Sequence, residues 1–256
     1  LPAIIRSRQL IIKERQILSP FGVLSVASFN TLAYVGLQTT TALNGTFLQS
    51  FMPIMILLLN AIFLGQKATL KQWCGVFTSL VGVLVLVCQG QWDIFQTLSL
   101  QEGDVWVITA LLIWAIYSVL LRYRPEHLSP LPFLGVLVIV GVCALAPMSF
   151  FEMQYEASIQ WNSDLYLMVA FLAVFPSVLA YLFWNRGVAE LGAAIAGLFI
   201  HLVPVWGLLL STIFLGEEVQ PFHLLSIGLI FIGIYLAVVS STLEQPDQNL
   251  SKEQNK

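Results

Sequence analysis

Eight long apolar runs separated by short polar connections dominate the hydropathy pattern: Leu18 to Leu37, Ala42 to Leu64, Leu70 to Cys88, Val105 to Leu121, Phe133 to Phe151, Leu165 to Trp184, Ala193 to Leu215 and Phe222 to Val239. Each is close to the ~20 residues a helix needs to cross hydrocarbon, and none contains Lys, Arg, Asp or Glu. Backbone in lipid must satisfy its hydrogen bonds internally, so every run is predicted to be helical. The apolar–polar alternation of a barrel strand is absent. The expected fold class is an all-α polytopic membrane protein with eight transmembrane helices.

The pattern also repeats. Gly36, Ala42, Pro53, Leu57, Leu58, Leu59, Ile62, Phe63, Leu64 and Gly65 recur 151 residues on, without a gap, as Gly187, Ala193, Pro204, Leu208, Leu209, Leu210, Ile213, Phe214, Leu215 and Gly216, and Gly82 falls on Gly233. Charge then sets the relation between the two copies. Residues 1–16 are too charged to span and read as a cytoplasmic loop. With that loop inside, all 11 Lys and Arg residues fall on one side: Arg6, Arg8, Lys13, Arg15, Lys67, Lys71, Arg122, Arg124, Arg186, Lys252 and Lys256. The opposite side receives Asp93, Glu102, Asp104, Glu152, Glu156, Asp164, Glu217 and Glu218. This is the segregation expected when positive loops stay in the cytoplasm.

Gln66-Lys67 after the first Ile-Phe-Leu-Gly and Glu217-Glu218 after the second therefore lie on opposite sides, and the repeats are inverted. Inversion needs an odd number of helices per repeat. The second is expected to have five, of which the first shows its last three, giving a repeat at 1–90, an external loop at 91–102, a repeat at 103–241 and a disordered cytoplasmic tail at 242–256. Inverted repeats are the architecture of secondary transporters, with the substrate near the midplane.

Composition agrees: at 58% hydrophobic and 10% charged, with mean hydropathy +0.85, the chain lacks the polar surface of a soluble globule. Cys74, Cys88 and Cys143 show no metal or disulfide spacing and read as small buried hydrophobes. No secretory signal is visible, and a chain opening at Leu1 in a basic loop is expected to be preceded by further sequence.

Polar and aromatic side chains inside the spans are the candidate chemistry, because hydrocarbon offers them no partner. Ser177, Tyr181 and Asn185 recur every four residues on one face, and Asn30 and Tyr34 do the same, aligning with Tyr181 and Asn185 under the repeat. Thr46, Gln49, Ser50 and Pro53 form one stripe, and Gly197, His201 and Pro204 form its counterpart. Pro53 and Pro204 each free a carbonyl one turn earlier, which either binds substrate or is re-satisfied in a structural kink. Among Asp, Glu, Lys, Arg and His, His201 is the one side chain well inside these eight runs, His223 standing at the start of the last, and its ordinary pKa is near physiological pH; substrate binding, proton coupling and a hydrogen-bonded core role all remain open. Trp114 and Tyr117 are candidates for stacking on substrate or for core packing. Gly75, Gly82, Gly228 and Gly233 are expected to let helices approach closely, and Trp92 and Trp161 to anchor the outer interface.

Gly103-Asp104 opening a helix that runs Leu112-Ile113-Trp114-Ala115-Ile116-Tyr117-Ser118 to Arg122 resembles the start of the second repeat in the drug/metabolite transporter superfamily, EamA type. Leu179-Ala180-Tyr181-Leu182-Phe183-Trp184-Asn185 with Gly187, then Pro204 and Leu215-Gly216-Glu217, resembles the rest of that repeat. The resemblance implies ten helices, of which this sequence carries the last eight, in a bacterial inner (plasma) membrane with both visible ends cytoplasmic. It also implies outward movement of small metabolites such as amino acids.

No GxSxG, HExxH, P-loop or dinucleotide motif and no intramembrane carboxylate pair points to an enzyme. The leading expectation is a secondary transporter, an exporter of small neutral or zwitterionic metabolites working by alternating access. A non-transporting membrane scaffold or sensor is the rival. Strongly anionic substrates would call for a buried Lys or Arg. The expected partners are the lipid bilayer and a small metabolite, with protons and a second copy of the chain as further candidates. No nucleic acid, metal or cofactor is expected.

Overall fold

The computed structural model describes residues 8–91, 93, 94, 99–155 and 161–243. Among these residues there is no strand, and eight helices are long and apolar enough to cross a bilayer: α1 (Arg15–Thr39), α2 (Ala42–Leu64), α3 (Leu70–Val87), α4 (Glu102–Tyr123), α5 (Pro130–Glu152), α6 (Ser163–Leu191), α7 (Ala193–Leu215) and α8 (Pro221–Val239). They match the eight predicted runs in order. The readings placed on Arg6, Trp92, Glu156, Lys252, Lys256 and the tail beyond residue 243 fall outside the described residues.

Local chemistry explains the boundaries. Thr41, Thr69 and Asn162 cap α2, α3 and α6 by accepting the Asn44, Gln72 and Leu165 N–H groups, which answers donors that a helix start leaves open. At Thr69 the cap is reciprocal, since Gln72 Oε1 accepts the Thr69 N–H at 2.8 Å. The two Ile-Phe-Leu-Gly runs end α2 and α7 in the same way. Gly65 and Gly216 take left-handed conformations, φ 65° and 71°, which glycine adopts without a Cβ penalty.

Three departures from the predicted pattern are physical. The described part of the basic leader is helical at Arg8–Lys13, and α1 already starts at Arg15, so helix stands where a loop was expected up to residue 16. Secondly, α1 and α6 each widen into a π-helical stretch, at Val23–Ser28 and Ala173–Leu179, positions that coincide under the repeat to within a residue. Lastly, α2 breaks at Ser50–Phe51, and α7 tightens to a 3-10 turn at Phe199–Leu202. Pro53 and Pro204 stand in the first turn of the helical segment that resumes after each interruption, where a missing N–H costs nothing.

The chain forms two compact units, and neither is one of the sequence repeats. Unit 1 comprises Leu1–Tyr34 and Thr109–Ala193, and unit 2 comprises Val35–Ile108 and Ala194–Lys256. In unit 1, Phe21 packs edge-on against Tyr117 and Phe133, with ring centroids 5.9 and 5.8 Å away. A Cβ at Gly22 would lie 2.6 Å from Val140 Cβ, so α1 and α5 touch through that glycine.

Unit 2 is built on α3 and α8. A Cβ at Gly75 would lie 2.5 Å from the Gly233 carbonyl, and one at Gly82 would lie 2.8 Å from the Ser226 carbonyl. As one partner's number rises the other's falls, so the helices are antiparallel. Under the offset Gly75 corresponds to Ser226 and Gly82 to Gly233, so these two contacts are images of each other. Leu57, Val76, Val83, Val87, Leu198, Ile230, Ile234 and Ala237 close into an apolar cluster around this pair. Gly228, which was grouped with the contact glycines, has no neighbour where a Cβ would stand. Of the cysteines only Cys88 is buried; Cys74 and Cys143 are exposed and free, on helix faces left for lipid rather than in the core.

Candidate functional site

In unit 1 the π-stretch of α1 shapes a polar and aromatic cluster. A π-turn displaces the regular hydrogen-bond ladder, and the Ser25 carbonyl within it accepts the Tyr181 hydroxyl at 2.5 Å. Asn30 Nδ2 donates to Tyr181 Oη at 3.2 Å and to the Val26 carbonyl at 2.9 Å. Asn30 and Tyr181 are 151 residues apart, hence repeat mates bonded to each other. Beside them the Tyr117 hydroxyl donates to Asn185 Oδ1 at 2.7 Å. The Trp114 ring sits 5.2 Å from Tyr181, 5.3 Å from Tyr117, 5.7 Å from Trp184 and 4.6 Å from Phe29. Tyr117, Tyr181, Trp114 and Asn185 are all buried. Asn185 Nδ2 is also buried and has no hydrogen-bond partner, a defect that costs about 1–3 kcal/mol in a core.

In unit 2 the counterpart is His201, whose side chain is buried. Its Nε2 lies 2.8 Å from the Ser50 carbonyl and its Nδ1 lies 2.7 Å from Ser79 Oγ. Ser50 and His201 are again repeat mates. A carbonyl only accepts, so Nε2 carries a hydrogen. Ser79 Oγ also lies 3.0 Å from the Val76 carbonyl. The neutral ring therefore receives the Ser79 proton at Nδ1. A protonated ring would instead donate from Nδ1 to Ser79, whose own hydrogen would turn to Val76. Rotation of one hydroxyl satisfies both ring nitrogens in either state.

Unit 2 also holds a cleft of about 860 Å³ at the Glu217–Glu218 end. Its polar lining is Thr46, Gln89, Gln91, Ser211, Glu217, Glu218, Gln220 and His223, and its walls include Leu43, Leu86, Pro204, Leu208 and Phe222. No Lys or Arg lines it. Near the start of α4, Asp104 is buried and accepts from Thr40 Oγ1, from Asn44 Nδ2 at 2.9 Å and from the Gln101 N–H at 2.9 Å. This carboxylate ties the end of α1 and the start of α2 to the first turn of α4, where the helix dipole also favours it.

The candidates read from the sequence thus fall into two groups. Asn30, Trp114, Tyr117, Tyr181 and Asn185 meet in unit 1; Ser50 and His201 meet in unit 2, with Pro53 buried and Pro204 in the cleft wall. Gln49 is half-buried and Tyr34 is 60% exposed. Ser177 does not join Tyr181. It is exposed and donates to the Leu172 carbonyl five residues back, because the π-stretch breaks the four-residue spacing. Asp104, Ser25, Ser79 and Asn60, whose buried Oδ1 has no partner, were not singled out. Asp104 was legible only as one of the outer acids and as part of the Gly103-Asp104 helix start, and Asn60 only as the lone amide in the second half of α2. Among the described residues no three His, Cys, Asp or Glu side chains gather where a metal could bind.

Eight bilayer-length helices, interlocked repeat mates and a cleft walled by kinked helices define a polytopic membrane transporter. The comparisons name the group. The EamA-like transporter family matches residues 1–88 and 101–239, and the chain belongs to that family. The uncharacterized transporter YyaM of Bacillus subtilis (strain 168) is 32% identical over 234 residues, covering 91% of this chain and 75% of the relative. A probable terminal-alkyne amino-acid exporter of Streptantibioticus cattleyicolor is 22% identical over 216 residues, covering 84% of this chain and 70% of its own length. A solved crystal structure superposes with a TM-score of 0.71 at 17% identity, covering 95% of this chain and 86% of that one, and shows the same fold. Family and relatives are transporters rather than enzymes.

Proposed function

We propose that the protein exports small neutral or zwitterionic metabolites, amino acids among them, by alternating access across the bacterial plasma membrane, with the Lys- and Arg-bearing loops and both visible ends in the cytoplasm. The cleft of unit 2 carries this reading. Its ~860 Å³ lies within the range of small-molecule sites. Two carboxylates, side-chain amides and hydroxyls set among apolar walls suit an ammonium group on a partly apolar body, whereas a phosphate would find no Lys or Arg. The amino-acid exporter among the relatives supports the substrate class and direction.

His201 is the proposed proton site, since its surroundings accept both protonation states by turning Ser79. Asn30, Tyr34, Gln49, Ser50, Trp114, Tyr117, Tyr181 and Asn185 are the proposed pathway residues, Pro53 and Pro204 its kinks. Counterflow of labelled amino acids in proteoliposomes tests the function. Exchange of amino acids without exchange of sugar phosphates is expected; the absence of amino-acid exchange, or a preference for phosphates, refutes it.

A further inference from the structure

The repeat assigns each wall of the cleft a partner 151 residues away: Thr46 with Gly197, Pro204 with Pro53, Leu208 with Leu57, and Ser211 with Asn60. All eight belong to unit 2, yet the two sets are in different states. Thr46, Pro204, Leu208 and Ser211 are half-buried and face open space. Gly197, Pro53, Leu57 and Asn60 are buried. Ile56 covers Gly197 so closely that a Cβ there would lie 2.8 Å from Ile56 Cδ1, and Leu57 is held in the apolar cluster with Leu198.

One group in the closed set does not suit a permanent core. Asn60 is 5% exposed and its Oδ1 has no hydrogen-bond partner, although buried polar atoms are satisfied in the great majority of cases. Its mate Ser211 lines the open cleft. An orphaned acceptor standing in the image of a cleft-lining hydroxyl has the placement of a ligand group whose cleft is shut.

We propose that Pro53, Leu57, Asn60 and Gly197 form a second substrate cleft, closed in this state, which opens as the Glu217–Glu218 cleft shuts, and in which Asn60 Oδ1 accepts a hydrogen bond from the substrate's ammonium or amide N–H. This rests on the transporter reading. Oδ1 is an acceptor, so the atom left without a partner suits the nitrogen end of a substrate. Inverted repeats supply the means, because exchanging the conformations of the two copies exchanges the two clefts.

Single cysteines at Leu57→Cys and Ser211→Cys, in a chain carrying Cys74→Ala, Cys88→Ala and Cys143→Ala, test it with a membrane-impermeant maleimide applied to either face of sealed vesicles. Without amino acids, Ser211→Cys should label readily and Leu57→Cys about tenfold or more slowly, since a minor conformer is populated at roughly 0.1–10%. A mixture of the proteinogenic amino acids at the Ser211 face should speed labelling at 57, from the opposite face, while slowing it at 211. Asn60→Leu, which fills the site with carbon, should fold yet lose exchange. Labelling at 57 that stays inert in a chain that exchanges amino acids, or full exchange by Asn60→Leu, overturns the second cleft and leaves the transporter reading intact. A chain without exchange whose labelling still shifts reciprocally would sink the transporter reading alone.

Discussion

Gly75→Ala should be the most informative small change in the molecule. The new methyl carbon would stand 2.5 Å from the Gly233 carbonyl oxygen and 2.7 Å from both Ala237 N and Ala237 Cβ, roughly 1 Å inside the ~3.5 Å at which such atoms rest. Three of the obstacles belong to backbone or to a Cβ, so no side chain can swing aside, and α3 and α8 must separate along their contact. Overpacking of this kind costs about 1–3 kcal/mol, and any Cα–H···O contacts that the separation breaks would add about 0.5–1 kcal/mol each. For a chain of this size, a loss of 1–3 kcal/mol corresponds to a fall in melting temperature of about 3–10 °C. Gly228→Ala is the control. Nothing lies within 4 Å of its Cβ position, and in mid-helix alanine gains up to about 1 kcal/mol over glycine. The assay is thermal unfolding of the detergent-purified protein, followed through thiol exposure or loss of the monodisperse peak. Equal melting temperatures for the two variants would refute the close-contact account of α3 and α8.

Three further outcomes follow from the polar clusters. His201→Gln should fold, because an amide can donate to Ser50 and accept from Ser79, and should flatten the pH profile of transport; a normal rate with an unchanged profile would end the proton role. Asp104→Ala should lower stability by about 2–4 kcal/mol, since three donors lose a buried charged acceptor, whereas Asp104→Asn keeps acceptors and should cost less; chemical denaturation in detergent measures both. Tyr181→Phe should cost about 1 kcal/mol, near the upper range for one buried hydrogen bond between membrane helices. A loss above 3 kcal/mol would mean that the hydroxyl does more than hold the Ser25 carbonyl.

The helices were legible because lipid leaves the chain little choice: a run of twenty apolar residues without charge has to be helical, and α2, α3 and α7 match their runs to within a residue. The repeat was legible because Gly65 and Gly216 keep a conformation that other side chains resist. The π-stretches were not. Pro176 marks the one in α6, but nothing local marks Val23–Ser28, and a four-residue face drawn across Ala173–Leu179 misplaced Ser177. The partners of Asp104 and Ser79 are illegible for a related reason. An acid opening a helix and a serine in an apolar helix look ordinary until the partners from other helices, Thr40 with Asn44 and His201, are in place. His201 and Tyr181 stand out in the sequence because bulky polar groups in hydrocarbon are rarely idle. Their mates, Ser50 and Asn30, became meaningful as the other end of the same bond.

Those two bonds also carry a record of descent. Had the repeats once been separate copies of one chain paired across an exact two-fold axis, each residue on that axis would have faced itself, and a Ser–His or Asn–Tyr pair would have been impossible. Ser50 with His201 and Asn30 with Tyr181 are unlike pairs on self-facing positions. Such unlike pairs can arise only once the two halves differ in sequence: two copies of either half would meet as Asn–Asn or Tyr–Tyr, whereas the carbonyl that meets His201 is backbone and would be offered by any residue at position 50. The asymmetry at these positions is thus a product of divergence between the halves, unavailable to any symmetric ancestor.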